Sequence, residues 1–382
     1  MSALILGGCA KAPPKAVVDY EALADKLVNQ YAQIKEGDCV LITGGVKNME
    51  LLEDLAVQVR KTGAFPLLTI ASDRMLRKMY IEVPEKWDTQ KPVLDERLYN
   101  IITAIISVEY REKSDLLADI PSKRFERIRK VRAPVLDVYL KRRIREVYLG
   151  NDMYPTSDRA KEYGIPLETL SKLFWDGVNV DYEILKANCE AVKAVLARGQ
   201  KIRITHVNGT DLTFGIKGRT VFLSEGIIQD DPKKKLWPGV TLPAGEVIVT
   251  PVPGTAQGKV VVERNFYQGT EISGMSLAFE QGKVVSMYGG IGGEKLLERY
   301  QLAGTGKELM GYVDIGTNPN IRVPEGSRMV AYMPSGAITI GIGRNDFFGG
   351  ENTGSLGFDF FLPGYTLAVD GKVLVEDGVL KI

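Results

Sequence analysis

Apolar positions in the first two hundred residues alternate between two rhythms. From Tyr20, the residues Leu23, Leu27, Tyr31 and Ile34 recur at intervals of three and four, the spacing of an amphipathic helix. Gly37-Asp38 breaks that pattern. Cys39–Thr43 is a short apolar run ending in Gly44-Gly45, which predicts a buried strand. Met49–Thr62 returns to helical spacing through Leu52, Leu55 and Val59, with Gly63 where a helix is expected to stop. Pro66–Ile70 and Asn100–Val108 read as further strands. Strand, helix and strand in this order predict a mostly parallel sheet with helices on its faces. Lys113–Gly177, rich in Arg, Lys and Glu at helical spacing, predicts peripheral helices. Asp181–Arg198 is a clearer helix, with Leu185, Cys189, Val192 and Leu196 on one stripe.

After Gly199 the period changes to two. Lys201–Val207, Asp211–Ile216, Val221–Ser224, Glu246–Val249, Lys259–Glu263, Gly274–Glu280 and Lys283–Tyr288 alternate and are separated by glycine turns, with one helix near Gly293–Leu302. The fold class expected is therefore an α/β N-terminal domain plus a β-rich α+β C-terminal domain. Residues 1–19 read as a tether or truncated signal, 20–199 as the first domain and 200–382 as the second. A chain of 382 residues also exceeds what one core usually holds.

Composition narrows the function classes. Lys and Arg number 49 against 48 for Asp and Glu, so no basic excess points to nucleic acid. The densest basic runs, Arg124–Arg132 and Lys141–Arg145, fit solvated helix faces. Cys9, Cys39 and Cys189 form no CxxC pair and indicate neither a disulfide framework nor a thiolate zinc site. His206 is the one histidine, whereas most metalloenzyme sites use at least two. Its expected role is that of a hydrogen-bonded strand residue. Leu6-Gly7-Gly8-Cys9 after Ala3-Leu4-Ile5 looks like the end of a bacterial lipoprotein signal, although the apolar run is short and no cationic segment precedes it. Two localisations stay open: cytoplasmic, or the cell envelope through a lipid anchor at Cys9. Intact-mass analysis of protein expressed with its upstream reading frame separates them.

Chemistry concentrates in Thr241–Pro251. A Pro-Ala-Gly turn releases into a β-branched run, so Glu246 stands at the mouth of a strand where its carboxylate can face a cleft, binding metal or capping a turn. Gly44-Gly45 lacks the further glycine and the Lys-Ser/Thr of a phosphate loop and reads as a tight turn.

Gly209-Thr-Asp-Leu-Thr213, Leu242-Pro-Ala-Gly-Glu-Val247, Gly316-Thr-Asn-Pro319 and Asp359 with Val369-Asp-Gly371 follow, in order, the landmarks of the thermophilic metallo-aminopeptidases of the aminopeptidase II, S and T type. From Tyr20 onward nearly the whole chain resembles that family. The resemblance implies a homodimer that removes N-terminal residues from peptides or small amides, with a pair of zinc or cobalt ions held by two glutamates, two histidines and an aspartate. It places Glu246 at the first glutamate, also the catalytic carboxylate that takes the proton from metal-bound water, and Asp359 at the aspartate. Tyr312 falls at the second glutamate, Thr339 and Gly357 at the histidines, so three of five ligand positions depart from the pattern. Neither Thr nor Gly replaces imidazole for zinc.

An all-oxygen site is a further expectation. Period two puts Asp314 on the same strand face as Tyr312, and Asp346 and Glu351 lie in the Gly-rich loop 341–354 that can reach the cleft. Glu246, Asp314, Asp359 and one loop acid would suit magnesium, manganese or calcium. Against this, Asp314 can cap a turn and the loop acids can be merely solvated. Tyr312 can also donate to a bound carbonyl, and Asp346–Asn352 can form a lip over the cleft. Three functions follow: a metallo-aminopeptidase relative, a binding or scaffold protein that has lost the metals, or an enzyme of changed chemistry on a carboxylate-held cation. Relatives of this fold include ring-opening dioxygenases of hydroxypyridines.

Overall fold

The computed structural model describes residues 18–228, 239–354 and 357–382. Cys9 and the tether expected around it lie outside those residues.

The helical spacing from Tyr20 forms α1 (Tyr20–Asp25), capped by the Asp19 carboxylate and continued by a π-helical turn over Lys26–Tyr31. In order there follow β1 (Cys39–Gly45), α2 (Met49–Lys61), β2 (Phe65–Ala71), α3 (Asp73–Ile81), α4 (Val93–Tyr99) and β3 (Ala104–Val108). Next come α5 (Ser122–Lys141), β4 (Arg145–Leu149), α6 (Ser157–Tyr163), α7 (Leu167–Val178) and α8 (Tyr182–Arg198). Asp181 caps α8, its carboxylate accepting from the amides of Glu183 and Ile184.

The second half is strand after strand: β5 (Lys201–His206), β6 (Thr210–Gly215), β7 (Val221–Ser224), β8 (Gly239–Leu242), β9 (Glu246–Val249), β10 (Gln257–Tyr267), β11 (Thr270–Glu280) and β12 (Lys283–Tyr288). The helix α9 (Glu294–Leu302) interrupts them before β13 (Met310–Gly316), β14 (Ile338–Gly343), β15 (Gly357–Phe361), β16 (Thr366–Val369), β17 (Lys372–Glu376) and β18 (Val379–Leu380).

Three sheets result among the described residues. One is parallel, in the order β2-β1-β3-β4-β8. The others are antiparallel, ordered β12-β11-β10-β6-β5-β16-β17-β18 and β15-β14-β13-β9-β7. One apolar core runs through all three, from Leu27 and Ile42 to Val313 and Phe360.

Three strands, β4, β8 and β3, depart from the sequence expectation. β4 lies in the stretch read as peripheral helices, and its charges explain why. Arg145 pairs with Asp38 at 2.5 Å, and the Glu146 carboxylate accepts from the Tyr139 hydroxyl at 2.6 Å, so a central strand carries charged residues that are internally paired. β8 crosses the expected boundary near residue 200 by joining the parallel sheet of the first half. β3 also starts at Ala104, later than Asn100, whose amide still bonds back to the carbonyl of Arg97 at the end of α4.

Candidate functional site

The strand β8 delivers the chain to the site. Past its carboxyl end, Leu242-Pro243 is a cis peptide, and Gly245 holds φ at +124°. A side chain at Gly245 would place its Cβ 2.8 Å from the backbone nitrogen of Asn318, so only glycine passes there. Asn318 in turn donates from its side-chain amide to the carbonyls of Ala244 (2.7 Å) and Gly177 (3.1 Å). Two of the sequence landmarks, Leu242–Val247 and Gly316–Pro319, are thus the two halves of one clamp, and the clamp sets Glu246 as the first residue of β9.

From there the site is laid out by strand register on the β15-β14-β13-β9-β7 sheet. Tyr312, Gly341 and Asp359 sit side by side on β13, β14 and β15. Two residues along, Ile248, Asp314 and Thr339 form the next row, and Ser224, Glu246 and Gly316 the row after that. Side chains on neighbouring strands in register share a face, so these rows face the same way. The carboxyl ends of the parallel strands supply the opposite wall, the usual location of a crevice in α/β sheets. Asn151 and Asp152, just past β4, both hold left-handed φ values of 43° and 55°. Asn and Asp tolerate that conformation better than other non-glycine residues, and holding two in succession costs about 1–3 kcal/mol each.

Between these walls lies a cavity of about 320 Å³. Four acids line it: Asp152, Glu246, Asp314 and Asp359. Tyr148, Tyr312, Tyr332 and Phe348 give it aromatic sides, and no Lys, Arg or His among the described residues lines it.

The acids are held differently. Asp359 is closed from both sides: the Tyr312 hydroxyl donates to one oxygen and the Tyr332 hydroxyl to the other at 3.0 Å. Gly341 makes the first bond possible, since a Cβ there would come within 2.1 Å of the Tyr312 ring. Glu246 is buried and meets the Asn151 amide at 3.5 Å; burial pushes its carboxyl up to about 7. Asp314 is 1% exposed, and neither of its oxygens has a hydrogen-bond partner among the described residues. Burial first, and then repulsion from Glu246 and Asp359, raise it well above the usual carboxylate range, offset only in part by the nearby backbone amides of Ile315 and Val247, which do not reach hydrogen-bond geometry. Its neighbour across the strands, Thr339, also has an unpartnered hydroxyl. Burial and the charge of Asp359 raise the Tyr312 phenol as well.

Other expected site residues lie elsewhere. Asp346 is held by both guanidinium arms of Arg344 at 2.6 and 3.0 Å, and Glu351 pairs with Arg219 at 2.8 Å; neither lines the cavity. From the loop between them only Phe348 reaches it, its ring 5.1 Å from that of Tyr312. His206 ends β5, stacks on Tyr365 at 4.2 Å and accepts from the Asn208 amide through Nδ1. Sequence reasoning missed Tyr148, Asn151, Asp152 and Tyr332. The consecutive Asn-Asp after an apolar strand is the signal that marks the first wall; Tyr332 offers none.

The model of the family described as Thermophilic metalloprotease (M29) matches residues 18–321. The chain belongs to that family. The match ends before β14 and β15, the strands that carry Thr339 and Asp359. Wild-type AmpT from Thermus thermophilus superposes with a TM-score of 0.74 at 19% identity, covering 95% of this chain and 99% of AmpT. The 2,5-dihydroxypyridine dioxygenase from Pseudomonas putida KT2440 follows at 0.59 and 13%, covering 94% and 96% of the two chains. Both likenesses show a shared fold. No curated protein matches. Family membership carries a metallo-aminopeptidase-like function and implies a divalent metal.

The residues present do not fit the pair of zinc or cobalt ions that the resemblance implies. Among the described residues no three His, Cys, Asp or Glu side chains come together as a metal-holding group. The donor set lacks imidazole, and each oxygen of Asp359 already accepts from a phenol, which leaves it one lone pair apiece.

Proposed function

We propose that this member of the family uses its cleft to bind the free ammonium group of a peptide or small aminoacyl amide, without two-ion hydrolysis. The observation that carries the reading is Asp314: a carboxyl, 1% exposed, whose two oxygens have no hydrogen-bond partner among the described residues and which faces a cavity that four acids and, among those residues, no Lys, Arg or His line. Buried polar groups are ordinarily satisfied, and an orphaned carboxyl in a cleft is a place where a ligand completes the bonding. An ammonium has three donors and a positive charge, which lets Asp314 ionise against the repulsion of Glu246 and Asp359. Tyr148, Tyr312, Tyr332 and Phe348 add the electron-rich faces that cations favour. Asp359, locked by its two tyrosines, serves as scaffold.

The test is calorimetric titration of the full chain with alanine amide and its N-acetylated form, beside turnover of aminoacyl amides. Binding of the free amine, none of the acetylated one, and no turnover fit the reading. Equal binding of both would end it. A second reading, hydrolysis by one carboxylate-held hard cation, is favoured by the same unpartnered oxygens. Elemental analysis after exposure to manganese and magnesium, with metal-dependent turnover, would establish it.

A further inference from the structure

A second cavity, of about 360 Å³, adjoins the first and shares Asp152 as a wall. It is lined by both signs of charge, but the acids are engaged. Glu109 accepts from the amides of Tyr110 and Arg111 and from the Tyr148 hydroxyl. Glu112 pairs with Lys47 at 2.6 Å, while Asp152 and Glu162 both face Arg159, at 3.6 and 3.7 Å. Two cations remain without a carboxylate partner among the described residues: Arg299 on α9, and Lys113. Arg299 is held in place by aromatic faces, its guanidinium 5.5 Å from the Tyr267 ring and 5.4 Å from the Phe358 ring. Phe358 directly precedes Asp359 on β15 and so faces the other side of that strand, which puts Arg299 behind the Asp359 row; its charge still reaches Asp359, and Asp152 is the wall that the two cavities share. The groove is therefore acidic at one end and carries unneutralised positive charge at the other.

We propose that the two cavities form one recognition groove for short zwitterionic peptides, the ammonium seated at Asp314 and the free terminal carboxylate at Arg299 and Lys113. The inference rests on the amine-binding reading and adds the carboxylate end to it. A guanidinium held between aromatic faces still has N–H donors at its edge for a carboxylate, and Lys113 supplies a second point charge.

The experiment compares di-, tri- and tetra-alanine with their C-terminal amides by calorimetry on the full chain. For the peptide length that spans the groove, the free acid is expected to bind about tenfold more tightly than its amide, the worth of one charge-assisted contact. The double variant Arg299→Gln, Lys113→Gln should erase that preference while amide affinity stays within about twofold. That unchanged amide affinity shows the variant is folded, and Arg299→Lys should restore part of the preference. Equal binding of acids and amides by the unaltered chain, or a preference that survives the double variant, overturns the carboxylate end and leaves the amine reading standing. Failure of acids and amides alike to bind overturns both together.

Discussion

Two rows of the same sheet, one pleat apart, have opposite characters. In the Tyr312–Gly341–Asp359 row every polar atom has found a partner inside the protein. The phenol reaches across the glycine to the acid, and Tyr332 closes the other oxygen. In the Asp314–Thr339 row neither the carboxyl nor the hydroxyl has any hydrogen-bond partner among the described residues. The rows share strands β13 and β14 and one register, so local backbone preference does not separate them. The first is closed because a tyrosine brings its own donor to the aspartate. The second has kept an unmet demand, which in a folded protein costs stability unless something outside the chain meets it.

The largest expected effect tests that demand directly. Asp314→Leu should weaken binding of alanine amide on the order of 100-fold, the scale for removing one member of a buried charge pair. The same change should leave thermal stability unchanged or raise it, because an unsatisfied buried carboxyl gives way to apolar volume. Lowered stability would mean that Asp314 is internally satisfied and that the open row is an illusion.

The closed row should respond in the opposite sense. Asp359→Ala leaves two phenols without an acceptor and should cost about 1–3 kcal/mol in denaturant unfolding. Gly341→Ala should cost a similar amount, since its Cβ would lie 2.1 Å from the Tyr312 ring and must displace it. If the two changes act through one tyrosine–aspartate unit, the double variant costs less than their sum.

What the chain reveals of this arrangement follows from how each part is encoded. Period three-to-four located α2 and α8, and period two located β7, nearly to the residue because each buries one regular stripe, whereas β9, buried throughout, and β12, largely exposed, were marked by their glycine turns. β4 escaped because its Arg145 and Glu146 are paired within the sheet, and no apolar count sees pairing. Glu246 was legible from the glycine turn before it, and Asp314 from its spacing to Tyr312. The saturation of Asp359 was not, since Tyr332 arrives from an irregular loop and the Tyr312–Asp359 bond depends on register across β14. Asp346 and Glu351 looked like cleft residues only because their arginine partners, one next door and one in a distant turn, are chosen by the fold.

A half-buried acid sharpens the contrast from the other half of the molecule. Glu146 on β4 has a partner, Tyr139, yet burial still raises its carboxyl above the ordinary value of 4.5. The sign is fixed by that direction. Below 4.5 the folded and unfolded chains both carry the proton and no penalty exists; as pH rises, the unfolded chain releases it first and stability falls. Glu146→Gln should therefore melt close to the unaltered chain at pH 4 and above it at pH 7 and 8. A gap that is constant across this range would show that Glu146 does not titrate on unfolding. The effect should be smaller than that of opening the closed row, because Tyr139 satisfies one oxygen in either protonation state.

The smallest expected effect is none at all, and it bears on the family's metal. Dialysis against a chelator should leave both the affinity for alanine amide and the melting temperature unchanged, since no three metal-binding side chains gather among the described residues and Asp359 is spoken for. An ion held by Glu246 and Asp314 would behave otherwise. Its removal would strip charge compensation from two buried carboxyls, so the melting temperature would drop, and added manganese would restore it. Under that outcome the open row is an ion site and the amine competes with the ion for Asp314. Under the expected one, the unpartnered oxygens belong to the ligand alone.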